Sequence, residues 1–158
     1  MARSRRHSGL DRVREAVAQG YPAAPPARDV AGVLLDSDVV IDALRGRAPT
    51  VSELRALEAA GVSTYCCAVS WAEVFAGLRA GEEPATEAFF EARGDVALTA
   101  HVGRRAGMYL ARYAKSHGVD VPDALIAAAA TTAGLRLWTM NRRHYPIEGV
   151  RFHDPGAR

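Results

Sequence analysis

The amino-acid sequence predicts an α/β protein built on a parallel, doubly wound sheet, and three observations carry that expectation. Short β-type apolar runs alternate with helical stretches from Val30 onward. The first of them, "GVLLD", is apolar throughout, as a parallel strand buried on both faces must be. The helical stretches carry start and stop signals: Ser37 or Asp38, Ser70 with Glu73, and Pro122 at starts; Gly46, Gly81 and Gly134 at ends. At 158 residues, 49% hydrophobic and 24% charged, the chain suits one globular domain with a real core.

Residues 1–29 stand apart as a flexible, basic N-terminal extension, and residues 30–155 are the expected folded domain. "MARSRRHSGLDRVREAVAQG" can form a short helix, and "YPAAPPARD" reads as a Pro-rich linker. In the domain, "GVLLD" is the first strand, and the helix after it runs to about Arg45. "APTVSELRALEAAG" is a second helix, with Val51, Leu54 and Leu57 on one face. "VSTYCCAV" is the second strand, where Cys66 and Cys67 read as small buried residues. "SWAEVFAGLRAG" opens on a capping-box pattern, Ser70 to Glu73, and runs to Gly81; "EPATEAFFEARG" is a further helix. "DVALTA" is a short strand or the lead-in to the long helix "HVGRRAGMYLARYAKSHG". "VPDALIAAAATTAG" has Pro122 in its first turn and stops at Gly134. "LRLWTMN" is another strand, and "GVRFH" can add a last one.

Charge narrows the function classes. The net charge is +2, and residues 1–30 hold six Arg against three acids, so the basic excess lies in the extension. The folded part is close to neutral, and any nucleic-acid contact there must come from local patches. No apolar run approaches the roughly 20 residues of a membrane span, and the basic N-terminus has no apolar segment behind it. The sequence therefore reads as that of a cytoplasmic protein with no membrane contact.

The acids raise the sharper question. Asp36, Asp38 and Asp42 crowd three carboxylates into seven positions behind the first strand. In doubly wound sheets ligands bind outside the carboxyl ends of the strands. Asp36 ends the first strand, Glu73 follows the second, Asn141 follows a later one, and Asp123 lies in the first turn of "PDALIAAAA". Each has a local explanation: Asp36 or Asp38 as a helix cap, Glu73 as half of a capping box, Asp123 as a dipole partner, Asp42 as a surface charge paired with Arg45. Crowded together on one edge they would repel unless a cation binds, and Mg²⁺ needs only one or two direct carboxylates.

These residues resemble a known family, the PIN-domain ribonucleases, and within it the VapC-type toxins of bacterial toxin–antitoxin pairs. "LLDSDVVIDALRG" resembles the opening motif, "VSWAEVFAGL" the second, "VPDALIAAAA" the third and "LWTMNRRHY" the closing one. They run in order from about Val33 to Phe152. The resemblance implies a three-layer α/β/α fold with a central, mostly parallel sheet, and cleavage of RNA by a Mg²⁺-activated water, with Mn²⁺ able to substitute. It places Asp36, Glu73, Asp123 and Asn141 in the catalytic site, with Asp36 and Asp123 as metal ligands. Ser37 and Ser70 would fix carboxylate rotamers, and Arg142, Arg143 and His144 would contact RNA. It also implies a small cognate antitoxin and a homodimer. Asn141 departs from a fully acidic set, leaving three strong acids unless Asp42 or Asp120 contributes, and residues 1–29 lie outside the resemblance.

Two other readings stay open on the sequence. A PIN-like module could bind RNA or protein without cutting, as the neutral Asn141 allows. A haloacid-dehalogenase-type phosphatase would use Asp36 as nucleophile and Asp38 as general acid. Against it, Val39 stands where that motif usually has Gly, and the lone Lys115 is poorly placed.

Overall fold

The computed structural model describes residues 32–156. The expected extension, residues 1–29, lies outside them. Four strands and six α-helices follow in the order β1 (Gly32–Leu35), α1 (Ser37–Leu44), α2 (Ala48–Ala59), β2 (Ser63–Cys67), α3 (Ala68–Ala76), α4 (Glu83–Glu91), β3 (Gly94–Val96), α5 (Ala100–His117), α6 (Val121–Ala133) and β4 (Arg136–Trp138), closed by a 3₁₀ turn at Arg142–His144. All four strands pair in parallel, in the order β3-β2-β1-β4.

Because side chains alternate across a strand, each short strand feeds two cores. Val33, Leu35, Cys66 and Trp138 face one way, onto Val39, Val40, Leu57, Val74 and Phe90 of α1–α4. Leu34, Cys67 and Leu137 face the other way, onto α5 and α6. These are the three layers. Helix α6 is buried along most of its length through Ala124, Ile126 and Ala127 to Ala130, and its small side chains let it lie close to both the sheet and α5. Gly134, with φ +72, provides the left-handed turn that ends α6 and leads into β4.

Three boundaries differ from the sequence reading. Helix α3 starts at Ala68, two residues before Ser70, and ends at Ala76 instead of near Gly81. Its N-cap is Cys67, with no side-chain cap, so the Ser70–Glu73 capping box does not form. "GVRFH" contributes a single bridge, Leu137 to Phe152, in place of a strand. "DVALTA" splits between β3 and Thr99, which caps α5 by accepting from Val102 N.

Sheet order positions the site. The chain winds outward from β1 through β2 to β3, then returns to add β4 on the other side of β1. The reversal leaves a crevice at the carboxyl ends of β1 and β4, where ligands of open α/β sheets bind. Asp36 N donates to Trp138 O at 2.9 Å, extending the β1–β4 ladder one step and delivering Asp36 into that crevice.

Candidate active site

Asp36 is almost fully buried at 7% exposure, and both of its oxygens are used. As N-cap of α1 it accepts from Ser37 N at 2.7 Å on Oδ1. On Oδ2 it accepts from the Tyr145 hydroxyl at 2.8 Å. The cap alternatives at Ser37 and Asp38 are thereby excluded. Asp38 instead crosses to the end of β4, where its Oδ2 accepts from Met140 N at 3.0 Å and Thr139 Oγ1 at 3.3 Å. Its Oδ1 is buried with no hydrogen-bond partner. Burial, with the nearby Asp36 charge, pushes the Asp38 carboxyl up to about 6.

Asp123 enters from the first turn of α6. Asp120 caps that helix, its Oδ1 accepting from Asp123 N at 2.9 Å. Burial first, then the charges of Asp120 and Asp36, push the Asp123 carboxyl up to about 6, while His144 and the Tyr145 hydroxyl act in the opposite sense. Asp36 and Asp123, from elements far apart in sequence, therefore share one electrostatic environment. His144 Nδ1 lies 3.4 Å from Asp123 Oδ2. Asn141 Nδ2 lies 2.9 Å from His144 Nε2. An amide donor there makes Nε2 the acceptor and leaves the ring proton on Nδ1, toward Asp123.

Glu73 projects from α3 and joins through Ser37, whose hydroxyl donates to its Oε2. The other serine does something different: Ser70, fully buried, lies 3.4 Å from the Leu35 carbonyl, where it ties α3 to the end of β1. Arg142 is engaged by Asp154, by the His153 carbonyl at 2.9 Å and by the Phe152 ring. Arg143 is exposed. Asp42 lies outside this set, accepting from Thr50 and facing Arg47 instead of the expected Arg45. Sequence reading missed Tyr145 altogether. Its phenol, held well above the ordinary range by burial and by Asp36, stays a proton donor. A tyrosine closing the "LWTMNRRHY" motif was its only signal.

Among the described residues, no three His, Cys, Asp or Glu side chains stand close enough together to form an all-protein metal cage. The set offers oxygen donors, with Asp36 held by the Tyr145 phenol and electrostatically coupled to Asp123 from a different element. Such a set fits a hard divalent cation that keeps most of its waters.

An open parallel sheet with acids gathered at its β1–β4 crevice is the arrangement of a PIN domain. The family model described as PIN domain matches residues 33–149, and the chain belongs to that family. It is similar to Ribonuclease VapC19 of Mycobacterium tuberculosis, 36% identical over 115 residues that cover 72% of this chain and 92% of the relative. Ribonuclease VapC10 of the same organism is 34% identical over 130 residues, covering 80% and 97%. In fold it is similar to a chain of VapBC2 from Rickettsia felis bound to a promoter DNA fragment, with TM-score 0.67, 17% identity and coverage of 77% and 97%. A toxin–antitoxin complex from Klebsiella pneumoniae gives TM-score 0.61 at 24% identity, covering 75% and 94%.

Proposed function

We propose that this protein is a divalent-metal-dependent endoribonuclease and the toxin of a toxin–antitoxin pair. The observation that carries the reading is the meeting of Asp36 and Asp123 at the β1–β4 crevice, in a chain whose PIN-family relatives are named ribonucleases. Asp36 and Asp123 would hold Mg²⁺, or Mn²⁺ in its place. A cation there supplies Lewis-acid chemistry, acidifying water and offsetting charge on the scissile phosphate.

The chain's own groups do the rest. Glu73, exposed and steadied by Ser37, takes the proton of the attacking water. Asn141 acts through His144, which orients the Asp123 carboxylate. Ser70 fixes α3, and hence Glu73, against the end of β1. The exposed Arg143 would contact an RNA phosphate, as would His144 and Arg142, the latter exchanging Asp154 for phosphate.

The antitoxin reading also has a surface to match. Leu57 is a core residue, and Phe75 packs beside the Trp71–Phe90 stack. A groove of about 330 Å³ opens between α1, α3 and α4, lined by Ile41, Leu44, Leu78 and Ala85 over the buried Val74, with Glu73 at its edge. An amphipathic antitoxin helix would lie there and present an Arg to the acids. A homodimer of the toxin is part of the same proposal.

Purified protein tests the nuclease. Cleavage of RNA should need Mg²⁺ or Mn²⁺ and stop with chelator; undiminished cleavage in excess EDTA would sink the metal mechanism. Asp36→Asn or Asp123→Asn should lower the rate by several orders of magnitude, while Asp42→Asn stays near wild type. The toxin reading is tested separately. Expression should arrest growth, and the product of a neighbouring gene should restore it and co-purify.

A further inference from the structure

The Tyr145 hydroxyl lies in a place that side-chain packing does not explain. Its ring is core, 3% exposed, among the residues facing α5 and α6, and a phenylalanine would fill that space equally well. The hydroxyl is what distinguishes it. A buried phenol needs one acceptor, and backbone carbonyls are the common choice. Here the acceptor is Asp36 Oδ2, at 2.8 Å, on a carboxylate whose other oxygen is already held by Ser37 N. The charge of Asp123 also acts on this phenol. The one O–H is thus committed to the acid at the end of β1, with the charge of Asp123 from α6 acting on it as well. A donor to an ionised acceptor makes a shorter and stronger hydrogen bond than a neutral pair does.

We infer that Tyr145 is a positioning residue for the divalent site: its hydroxyl fixes the Asp36 carboxylate in one rotamer, so that this acid is oriented before the cation arrives. The inference rests on the metal reading above and adds a residue to it. Hydrogen bonds to metal-ligating groups commonly set affinity, and their loss costs about 10- to 100-fold.

Mn²⁺ titration by calorimetry, without RNA, is the test, made on the wild-type protein and Tyr145→Phe. The variant should fold and unfold cooperatively. Its Mn²⁺ dissociation constant should rise about 10-fold or more, and the Mn²⁺ needed for half-maximal RNA cleavage should rise with it, while the rate at saturating Mn²⁺ changes little. Equal affinity in the two proteins would make the phenol a mere core filler. Tighter binding by the variant would make it a competitor of the cation, and either result overturns the inference. A wild-type protein that takes up no Mn²⁺ would instead remove the metal reading itself. If Tyr145→Phe does not fold, the hydroxyl proton of the wild-type protein decides by NMR: it should be protected from exchange without metal and shift when Mg²⁺ is added. An unmoved resonance refutes the inference.

Discussion

At the residue level, Asp36 carries two loads that substitution can separate. It caps α1, and it is the acid through which Tyr145 and the Asp38 charge are coupled. Asp36→Asn keeps an oxygen for the Ser37 N–H, turns an amide NH₂ toward the Tyr145 oxygen and removes one negative charge from beside Asp38 and Asp123; the relieved repulsion offsets the lost Tyr145 donation, so the metal-free protein should melt no lower than wild type. Asp36→Ala loses the cap and should cost about 1 kcal/mol, the usual value of such a residue. The raised carboxyls add a pH signature. Asp38 and Asp123 sit at about 6, above the ordinary aspartate value, so between pH of about 4 and 6 the folded chain binds more protons than the unfolded one. Their contribution to stability therefore falls as pH rises through that window. For Asp38 the shift corresponds at most to ~3 kcal/mol, and to roughly 1 kcal/mol once solvent screening is allowed for. Melts in chelator at pH 5 and pH 7 should show a smaller loss on raising pH for Asp38→Asn than for wild type, by about 3 °C. Equal losses would mean the Asp38 charge is well solvated. Asp36 and Asp123 were legible in the sequence because one closes a strand and the other opens a helix. Tyr145 was not, because what marks it is a contact across 109 positions with Asp36, and no local pattern records that.

Elements were readable where a local signal and the tertiary contacts agree. β1, α5 and α6 fell close to their expected limits, since "GVLLD", Thr99, Pro122, Gly118 and Gly134 all punctuate the chain in the direction the packing requires. Helix α3 shows the opposite case. Ser70 and Glu73 have capping-box spacing, yet each is taken by a partner from the β1–α1 segment, Leu35 and Ser37 respectively. With those side chains committed elsewhere, the helix begins directly off the end of β2. The sheet also contains an element-level constraint that spacing could not reveal. The Tyr65 ring of β2 spreads over Gly94 of β3 and Gly32 of β1, so that a methyl group at Gly94 would overlap the ring. A methyl at Gly32 would come within 2.8 Å of both Tyr65 and Leu135. Gly94→Ala should therefore destabilise the fold by about 1–3 kcal/mol, the usual cost of overpacking. A melt indistinguishable from wild type would show that the ring can swing aside freely.

On the scale of the whole molecule, the division between extension and domain rests on composition. The described domain begins with β1 at Gly32, and none of the site residues precedes it. A chain starting at Asp29 should fold with the wild-type melting temperature and still cleave RNA at low salt. It should bind RNA more weakly, because it lacks six Arg, and the deficit should shrink as salt is raised, since phosphate contacts weaken as counterions compete. Failure of this shorter chain to fold would place residues 1–28 in the core. The near-neutral charge of the remainder fits a site that handles RNA through a few groups around the β1–β4 crevice. No described helix is long and apolar enough to cross a membrane.

The adjacent cysteines of β2 acquire a use from their alternation. Both thiols are free and buried; Cys66 points toward α1–α4 and Cys67 toward α5–α6, and burial pushes Cys66 up to about 12 and Cys67 above its ordinary range. Neither can react until its own side of the sheet opens. Two neighbouring positions in one strand thus serve as independent reporters of how the two halves of the interior breathe. With one cysteine replaced by serine at a time, the labelling rate of the other measures the opening of a single layer, and a bound partner in the α1–α3–α4 groove would slow one rate and leave the other alone.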